Sequence, residues 1–160
     1  MGKEHGYEVT VRWTGNTGSG TGGYRAYDRS HDVLAAGRPA ILASADPAFR
    51  GDPERWNPEE LLVASLSQCH MLTYLALCAR NGVVVTGYED LARGRMVETP
   101  GDSGHFTEVV LNPVVTVADA SMVDLAGALH ERAHADCFIA RSVNFPVRHA
   151  PVVQVAGVTV

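Results

Sequence analysis

One stretch decides the fold: residues 57–82, which read NPEELLVASLSQCHMLTYLALCARNG. Asn57 suits the N-cap of a helix, Pro58 suits its first turn, and the two acidic residues that follow complement the positive end of the helix dipole. Glu60 can complete a capping box with Asn57. No further Gly or Pro occurs until the Asn-Gly pair at 81–82, a dipeptide typical of a helix end. The pattern therefore predicts one long helix.

This predicted helix is apolar on nearly all sides rather than along one stripe. Its apolar residues include Leu61, Leu62, Val63, Leu66, Met71, Leu72, Tyr74, Leu75 and Leu77. A helix of this kind is buried on most sides. We therefore expect other elements to wrap it.

The residues before the helix predict strands joined by loops. Apolar and polar residues alternate over Tyr7–Trp13, the pattern of a half-buried strand. A loop rich in Gly, Thr and Ser follows at 14–23, and Tyr24–His31 is expected to return as a second strand. Residues 35–56 contain Pro and Gly throughout, and predict an irregular connection with one short strand.

The residues after the helix predict a second group of strands and a second helix. Two long strands are expected over Val83–Val97 and Phe106–Ala118, and an amphipathic helix from near Asp119 or Ser121. Cys137 follows this helix. One helical turn over Phe138–Val143 and a final strand over Val152–Val160 complete the pattern. Strands and helices in segregated runs favour the α+β class.

Length and composition limit the class of protein. The 160 residues, 46% of them hydrophobic, suit one globular domain spanning residues 1–160. The formal charge of −5 argues against nucleic-acid binding, which usually requires a basic surface. No apolar run approaches the roughly 20 residues of a membrane span, and no signal peptide is recognisable at the start. We therefore expect a cytoplasmic protein without a membrane partner.

Two short motifs invite functional interpretations. Residues 18–23 fit the Gly-x-Gly-x-x-Gly pattern, but a strand rather than a helix is expected after them, so we interpret them as a loop. His130-Glu131-x-x-His134 fits a zinc-hydrolase motif on a predicted helix. It lacks a downstream Glu as third ligand, so His149 would have to serve. The same residues are also typical of the solvated polar face of an amphipathic helix.

The three cysteines, Cys69, Cys78 and Cys137, are too few and odd in number for a disulfide scaffold. Cys69 and Cys78 lie nine residues apart, on opposite sides of one helix, so they cannot pair within one chain. Cys78 is expected to be a packing residue. Cys137 lies where a helical turn begins, and free N–H groups there would stabilise a thiolate. The residues alone allow Cys69 and Cys137 to pair, but they do not establish that pair.

Asn57-Pro58-Glu59-Glu60-Leu61-Leu62, with Cys69 ten residues after Glu59, resembles the central helix of the OsmC/Ohr family, the osmotically inducible and organic hydroperoxide resistance proteins. Cys137 falls where that family carries its second cysteine. The order of predicted elements also agrees. The resemblance implies antiparallel sheets wrapped around a long central helix, in a homodimer whose two chains intertwine.

The activity that the resemblance implies is reduction of organic hydroperoxides to alcohols. Cys69 would become a sulfenic acid and then form a disulfide with Cys137. An external dithiol, lipoylated or small, would reopen that disulfide. No metal, flavin or haem cofactor is implied.

The resemblance also implies an Arg beside Cys69, held by the Glu that matches Glu59. Arg25 is the first choice and Arg29 the second. A continuous helix places Glu59 about 15 Å from Cys69 along its axis. We therefore expect Glu59 to serve the site of a partner chain, or to steer Arg25 from a distance.

Two departures from the family pattern suggest a side branch. Phe-Ile-Ala rather than Pro-Val-Ser follows Cys137, and His70 follows Cys69. His70 is expected to pack or to form an interface hydrogen bond. A non-catalytic OsmC-like protein that binds a small molecule is an alternative to the peroxidase, and the zinc hydrolase is a further one.

Overall fold

The computed structural model describes residues 2–157. These residues form two compact units, the first ending at Leu61 and the second beginning at Leu62. The interpretation of residues 1–160 as one OsmC-like domain stays a prediction. Mixed helices and open sheets confirm the α+β class.

The N-terminal unit contains one three-stranded antiparallel sheet, in the order β1-β2-β3. Its strands are β1 (Thr10–Trp13), β2 (His31–Leu34) and β3 (Ile41–Ala43). β3 is the short strand expected within residues 35–56, and a 3₁₀ turn at Pro47–Phe49 follows it.

The second predicted strand, Tyr24–His31, is wrong. Residues 24–27 form turns, and the strand begins only at His31. Side chains from β1 and from the loop after it bind the backbone that a strand would use: Trp13 Nε1 donates to the Asp28 carbonyl at 2.8 Å, and Thr17 Oγ1 donates to the Ala26 carbonyl at 2.7 Å. Such local side-chain bonds favour turns over ladder pairing.

β1 is also shorter and less buried than the alternation predicts. It covers only Thr10–Trp13, and all four of its residues are exposed. Tyr7, Val9 and Val11 are 91%, 67% and 64% exposed. The alternation of apolar and polar residues predicts that one face of β1 is covered. Within this chain, the apolar face of β1 is left exposed.

The long helix α1 (Pro58–Arg80) confirms the prediction for residues 57–82. The Glu60 N–H donates to Asn57 Oδ1 at 2.8 Å, and the Asn57 N–H donates to Glu60 Oε2 at 3.3 Å. These reciprocal bonds are the expected capping box. Gly82 follows the helix with a φ of 74°, a left-handed conformation that favours glycine.

One stripe of α1 is buried, consisting of Leu66, His70, Tyr74 and Cys78. The spacing of four residues places them on one face. Most of the remaining helix is only partly covered, and Leu72 is 60% exposed. The prediction that the helix is buried on most sides is therefore wrong for a single chain.

By length and composition, α1 could also cross a membrane, with a mean hydropathy of 1.5 over 18 residues. This corrects the expectation that no apolar stretch is long enough. The core helix of a soluble protein passes the same test, so the finding is weak evidence.

The C-terminal unit contains two three-stranded sheets, β4-β7-β9 and β5-β6-β8. Their outer strands β8 and β9 run parallel to β6 and β7, and the other pairs are antiparallel. The helix α2 (Val123–Asp136) follows a 3₁₀ turn at Ala120–Met122. The strands are β4 (Val85–Asp90), β5 (Arg93–Glu98), β6 (Gly104–Leu111), β7 (Pro113–Val117), β8 (Val147–His149) and β9 (Val152–Val155).

Each of the two long strands predicted after α1 is in fact two strands. Asp90 stands at both breaks: its Oδ1 accepts the Asn112 N–H at 2.7 Å, and its Oδ2 accepts the Ser67 hydroxyl at 2.5 Å. Asn112 Nδ2 also donates to the Leu91 carbonyl at 3.0 Å. These bonds replace the ladder locally and turn the hairpin from one sheet into the other.

β8 is a strand that the sequence pattern did not predict, since it has only three residues. β9 confirms the start of the final strand at Val152 but ends at Val155. The last three residues of the predicted strand lie outside the described residues. The helical turn expected after Cys137 is present at Ala140–Ser142.

The C-terminal unit has two hydrophobic clusters along α1. Leu66 packs with Val109 and Leu111 toward the start of this part of the helix. Tyr74 and Cys78 pack with strand residues such as Val115 and with α2 residues toward its end. The segment of α1 between these clusters carries Cys69 and His70.

Candidate functional site

Two cysteines meet in the C-terminal unit. Cys69 lies on α1 and is half-buried, whereas Cys137 directly follows α2 and is fully buried. Both are free thiols, and the Cys69 side chain lies near enough to Cys137 to raise the pKa of its thiol. The structure thus brings together the pair that the sequence left only possible.

The environment of Cys137 keeps its thiol protonated. Burial is the largest effect that raises its pKa, and the neighbouring Cys69 side chain adds to it. The Ala140 N–H donates to Cys137 Sγ at 3.5 Å and acts in the opposite direction. The predicted thiolate stabilisation by this turn is therefore present but weaker than burial. The half-buried Cys69 is the sulfur that a solute can reach.

Cys78 lies away from this pair and packs as expected. It is buried in the cluster that includes Tyr74. Burial raises the pKa of the Cys78 thiol. A buried, protonated thiol is a poor nucleophile.

The N-terminal unit contains a cavity of about 320 Å³. Its apolar walls include Trp13, Tyr27 and Phe49, and its polar groups include Arg29 and Glu59. Glu59 Oε2 is buried in this unit without a hydrogen-bond partner. A buried carboxylate oxygen without a hydrogen-bond donor is energetically costly.

Arg29 is held firmly beside this cavity. Its Nη1 donates to the Tyr27 carbonyl at 2.6 Å and its Nη2 to the Tyr24 carbonyl at 2.7 Å. The guanidinium also lies 4.5 Å and 4.1 Å from the ring centroids of Tyr24 and Tyr27. A guanidinium has five N–H donors, so these two bonds leave others free for a ligand.

Arg25, the first choice from the sequence, is exposed and does not line the cavity, whereas Arg29 and Glu59 both line it. The catalytic assignments of Arg25 and Glu59 stay predictions, as do those of Cys69 and Cys137. Arg29 is the arginine that shares a cavity with Glu59.

The His130-Glu131-x-x-His134 motif does not form a zinc centre in the described part of the chain. His130 is buried, and its Nδ1 is hydrogen-bonded to His70 Nε2 at 2.9 Å. Glu131 is 82% exposed, and its Oε1 contacts His149 Nε2 at 3.1 Å. Residues 2–157 contain no group of three His, Cys, Asp or Glu side chains placed to hold a metal ion.

The sequence did not predict that His70 and His130 contact each other. His70 was expected to pack or to form an interface hydrogen bond; it packs in the core, and its hydrogen bond is to His130 of the same chain. Its partner lies 60 residues away. The signal was present in the zinc motif: His130 falls on the apolar stripe of α2 with Ala126 and Ala133, a position that predicts burial.

Comparison with known proteins identifies the family and the fold of this chain. Residues 51–150 match the family model described as OsmC-like protein. An OsmC-like protein of unknown function from Vibrio cholerae has a similar structure, with 32% identity, a TM-score of 0.82, and coverage of 93% of this chain and 100% of that one. The uncharacterized protein YmaD of Bacillus subtilis is 24% identical over 144 residues, 88% of this chain and 87% of YmaD.

An organic hydroperoxide resistance protein OsmC from Legionella pneumophila shares the fold at 16% identity. Its TM-score is 0.66, with coverage of 94% of this chain and 99% of that one. The family match covers more than half of the described residues. The chain therefore belongs to the OsmC family.

Proposed function

We propose that this protein is a cysteine-based peroxidase that reduces organic hydroperoxides to alcohols. The observation that carries the proposal is the contact between two free thiols, one half-buried and one buried. Organic hydroperoxide resistance proteins from Legionella pneumophila and Elizabethkingia anophelis share the fold. The accessible Cys69 is the attacking sulfur, and the buried Cys137 is the resolving one.

In the first step, the Cys69 thiolate attacks the terminal oxygen of the hydroperoxide. An S–O bond forms, the O–O bond breaks, and the alkoxide takes a proton to leave as an alcohol. Sulfur is oxidised by two electrons to a sulfenic acid, and the peroxide is reduced by two.

In the second step, Cys137 attacks the sulfenic sulfur of Cys69. The S–S bond forms, and hydroxide leaves as water with the proton of the Cys137 thiol. An external dithiol of small or lipoyl type then reduces the disulfide by exchange. The cycle requires no metal, flavin or haem.

We assign Arg29, with Glu59, as the group that stabilises the thiolate in a homodimer. A Cys thiol with its reference pKa near 8.5 is mostly protonated at neutral pH, so a cation must favour the charged form. Arg29 has donors to spare, and Glu59 has a buried oxygen that needs one. We propose that both serve the thiol pair of the partner chain.

The exposed apolar surfaces of this chain support the dimer. Tyr7, Val9 and Val11 form an uncovered row in and beside β1, and Leu72 is uncovered on α1. Exposed apolar side chains of this kind are candidates for an interaction surface. A second copy of the chain that covers it also explains why α1 is apolar beyond its buried stripe.

The first test counts thiols and measures intact mass before and after one equivalent of cumene hydroperoxide. The wild type is expected to lose two hydrogens, with Cys69 and Cys137 joined in the peptide map. Cys69→Ser is expected to be inert, and Cys137→Ser to stop at a sulfenic acid after one turnover. Cys78→Ser is the matched control and keeps the reaction. Unreacted thiols in the wild type would refute the proposal and leave ligand binding as the role to pursue.

A second test separates the two arginines. Arg29→Ala is expected to slow the reaction of Cys69 with peroxide at pH 7, and raising the pH toward 9 is expected to restore much of the rate, because the thiolate then forms unaided. Arg25→Ala is the control and is expected to react like the wild type. A slow Arg25→Ala beside a normal Arg29→Ala would reverse the assignment.

A further inference from the structure

Three side-chain contacts, two of them hydrogen bonds, join α1 to the segment formed by α2 and Cys137. Their order is antiparallel, since partners advance along α1 while they retreat along α2. The pairs are Cys69 with Cys137, His70 with His130, and Tyr74 with Ala126. The thiol pair is thus the end member of a short ladder between two helices.

The histidine pair is the buried middle of this ladder. His70 Nε2 and His130 Nδ1 lie 2.9 Å apart, the ring planes differ by 6°, and both residues are 1% exposed. The Tyr74 ring stacks on His130 with centroids 3.9 Å apart. The His149 ring is also close, with its centroid 5.6 Å from that of His70.

Neither imidazole ring has a second hydrogen-bond partner that could replace this bond. One ring must donate and the other accept, which leaves one N–H and one bare nitrogen over. Those remaining atoms, His70 Nδ1 and His130 Nε2, are buried without partners. A shift of α2 along α1 would therefore leave all four ring nitrogens unpartnered in the core.

The apolar contacts between α1 and α2 determine the register of the two helices less strictly than these polar contacts do. The buried face of α2 consists largely of Ala126, Leu129 and Ala133. Apolar burial is non-directional, and a face with two alanines offers few protruding side chains to lock. A hydrogen bond is directional and weakens steeply as its angle departs from linear. The polar ladder, rather than the apolar face, therefore sets the register.

We propose that the His70–His130 hydrogen bond is a positioning contact that keeps Cys137 in reach of Cys69. His70 directly follows Cys69 on α1, so the contact fixes α2 within one residue of the reacting sulfur. A disulfide needs a sulfur–sulfur distance of about 2.05 Å, so a shift by one helical turn of about 5.4 Å would prevent it. The proposal rests on the proposed use of the two cysteines as a redox pair.

To test this, the full-length protein is equilibrated with a buffer of glutathione and glutathione disulfide. The protein dithiol and glutathione disulfide exchange to give the protein disulfide and two molecules of glutathione. After acid quenching and alkylation, mass spectrometry gives the equilibrium constant, which measures the effective concentration of Cys137 at Cys69. No peroxide is needed.

The main variant is His130→Phe, which keeps a ring on Tyr74 but removes the bond. Its equilibrium constant is expected to fall by about tenfold or more, the effect of leaving a buried polar group without its partner. His70→Leu breaks the same bond from α1 and is expected to shift the constant in the same direction. It keeps the test decisive if His130→Phe does not fold.

Two further variants separate positioning from general loss of stability. Leu129→Ala loosens the same face of α2 without touching the bond, and is expected to leave the constant within about threefold of the wild type. The double variant His70→Gln/His130→Asn places amide groups where the bonded ring nitrogens lie, and is expected to recover most of the loss. Equal shifts in Leu129→Ala and His130→Phe would overturn the proposal, as would no shift in His130→Phe. A protein that equilibrates normally with glutathione but ignores peroxide would refute the peroxidase alone.

Discussion

Lowering the pH from 7 to 5 is expected to destabilise the fold through His70 and His130. Both rings are buried as neutral groups. Burial is the largest cause that lowers their pKa values, from 6.5 to about 4 in His70 and about 3 in His130. His149 contributes to both shifts, and His134 to the shift of His70, since further imidazoles nearby oppose another positive charge.

The magnitude follows from the protons that each state binds. Below pH 6.5 the unfolded chain protonates both rings, whereas the folded chain does so only near pH 3 to 4. Stability is therefore fully present above pH 6.5 and is lost progressively as the pH falls toward those lower values. Each ring costs about 1.4 kcal/mol per pH unit in this window, so the pair lowers the free energy of unfolding by about 4 kcal/mol between pH 7 and 5. This is an upper limit, because local opening that admits water lets the rings protonate without unfolding.

The assay is urea unfolding at pH 7, 6 and 5, at one protein concentration. The wild type is expected to lose stability at each step, and His70→Leu/His130→Leu to lose much less. His105→Gln, at an exposed histidine, is the matched control and should follow the wild type. A wild type as stable at pH 5 as at pH 7, or a double variant with the same pH slope, would refute the reasoning.

Substitutions at three further positions test packing and capping by the same assay. Asn57→Ala removes the N-cap of α1 and is expected to cost about 1 kcal/mol, whereas Asn57→Asp keeps an acceptor and should stay near the wild type. Tyr88→Phe removes a buried hydroxyl without a partner and is expected to raise the free energy of unfolding by about 1 kcal/mol; a loss of similar size would show that the hydroxyl has a partner. Gly94→Ala would place a Cβ 2.6 Å from a Val63 methyl and is expected to cost about 1–3 kcal/mol, and an unchanged urea midpoint would contradict that packing.

The elements that local sequence determines were predictable. α1 begins and ends where its cap, its first-turn proline and its closing Asn-Gly place it, because these signals act within a few residues. The breaks between β4 and β5 and between β6 and β7 were not predictable. They depend on Asp90, whose partners Ser67 and Asn112 lie more than 20 residues away on either side.

The candidate site divides in the same way. The spacing of Glu59, Cys69 and Cys137 identified the family, but the contact between the two sulfurs depends on how α2 packs. From the sequence, Arg25 was the first choice and Arg29 the second for the arginine that the family carries on its N-terminal strands. In the structure that segment folds into turns, which leave Arg25 exposed and hold Arg29 between two tyrosine rings.

The parallel strands β8 and β9 also impose an order on folding. β6 and β7 are the central strands of their sheets only because residues 147–155 return to cover them. On the ribosome both central strands are therefore uncovered edges until that last segment emerges, and pairing across so many residues is slow. Uncovered edges template pairing with other chains. A chain released before residue 147 would expose two such edges at once, so aggregation during synthesis is a hazard inherent in this topology.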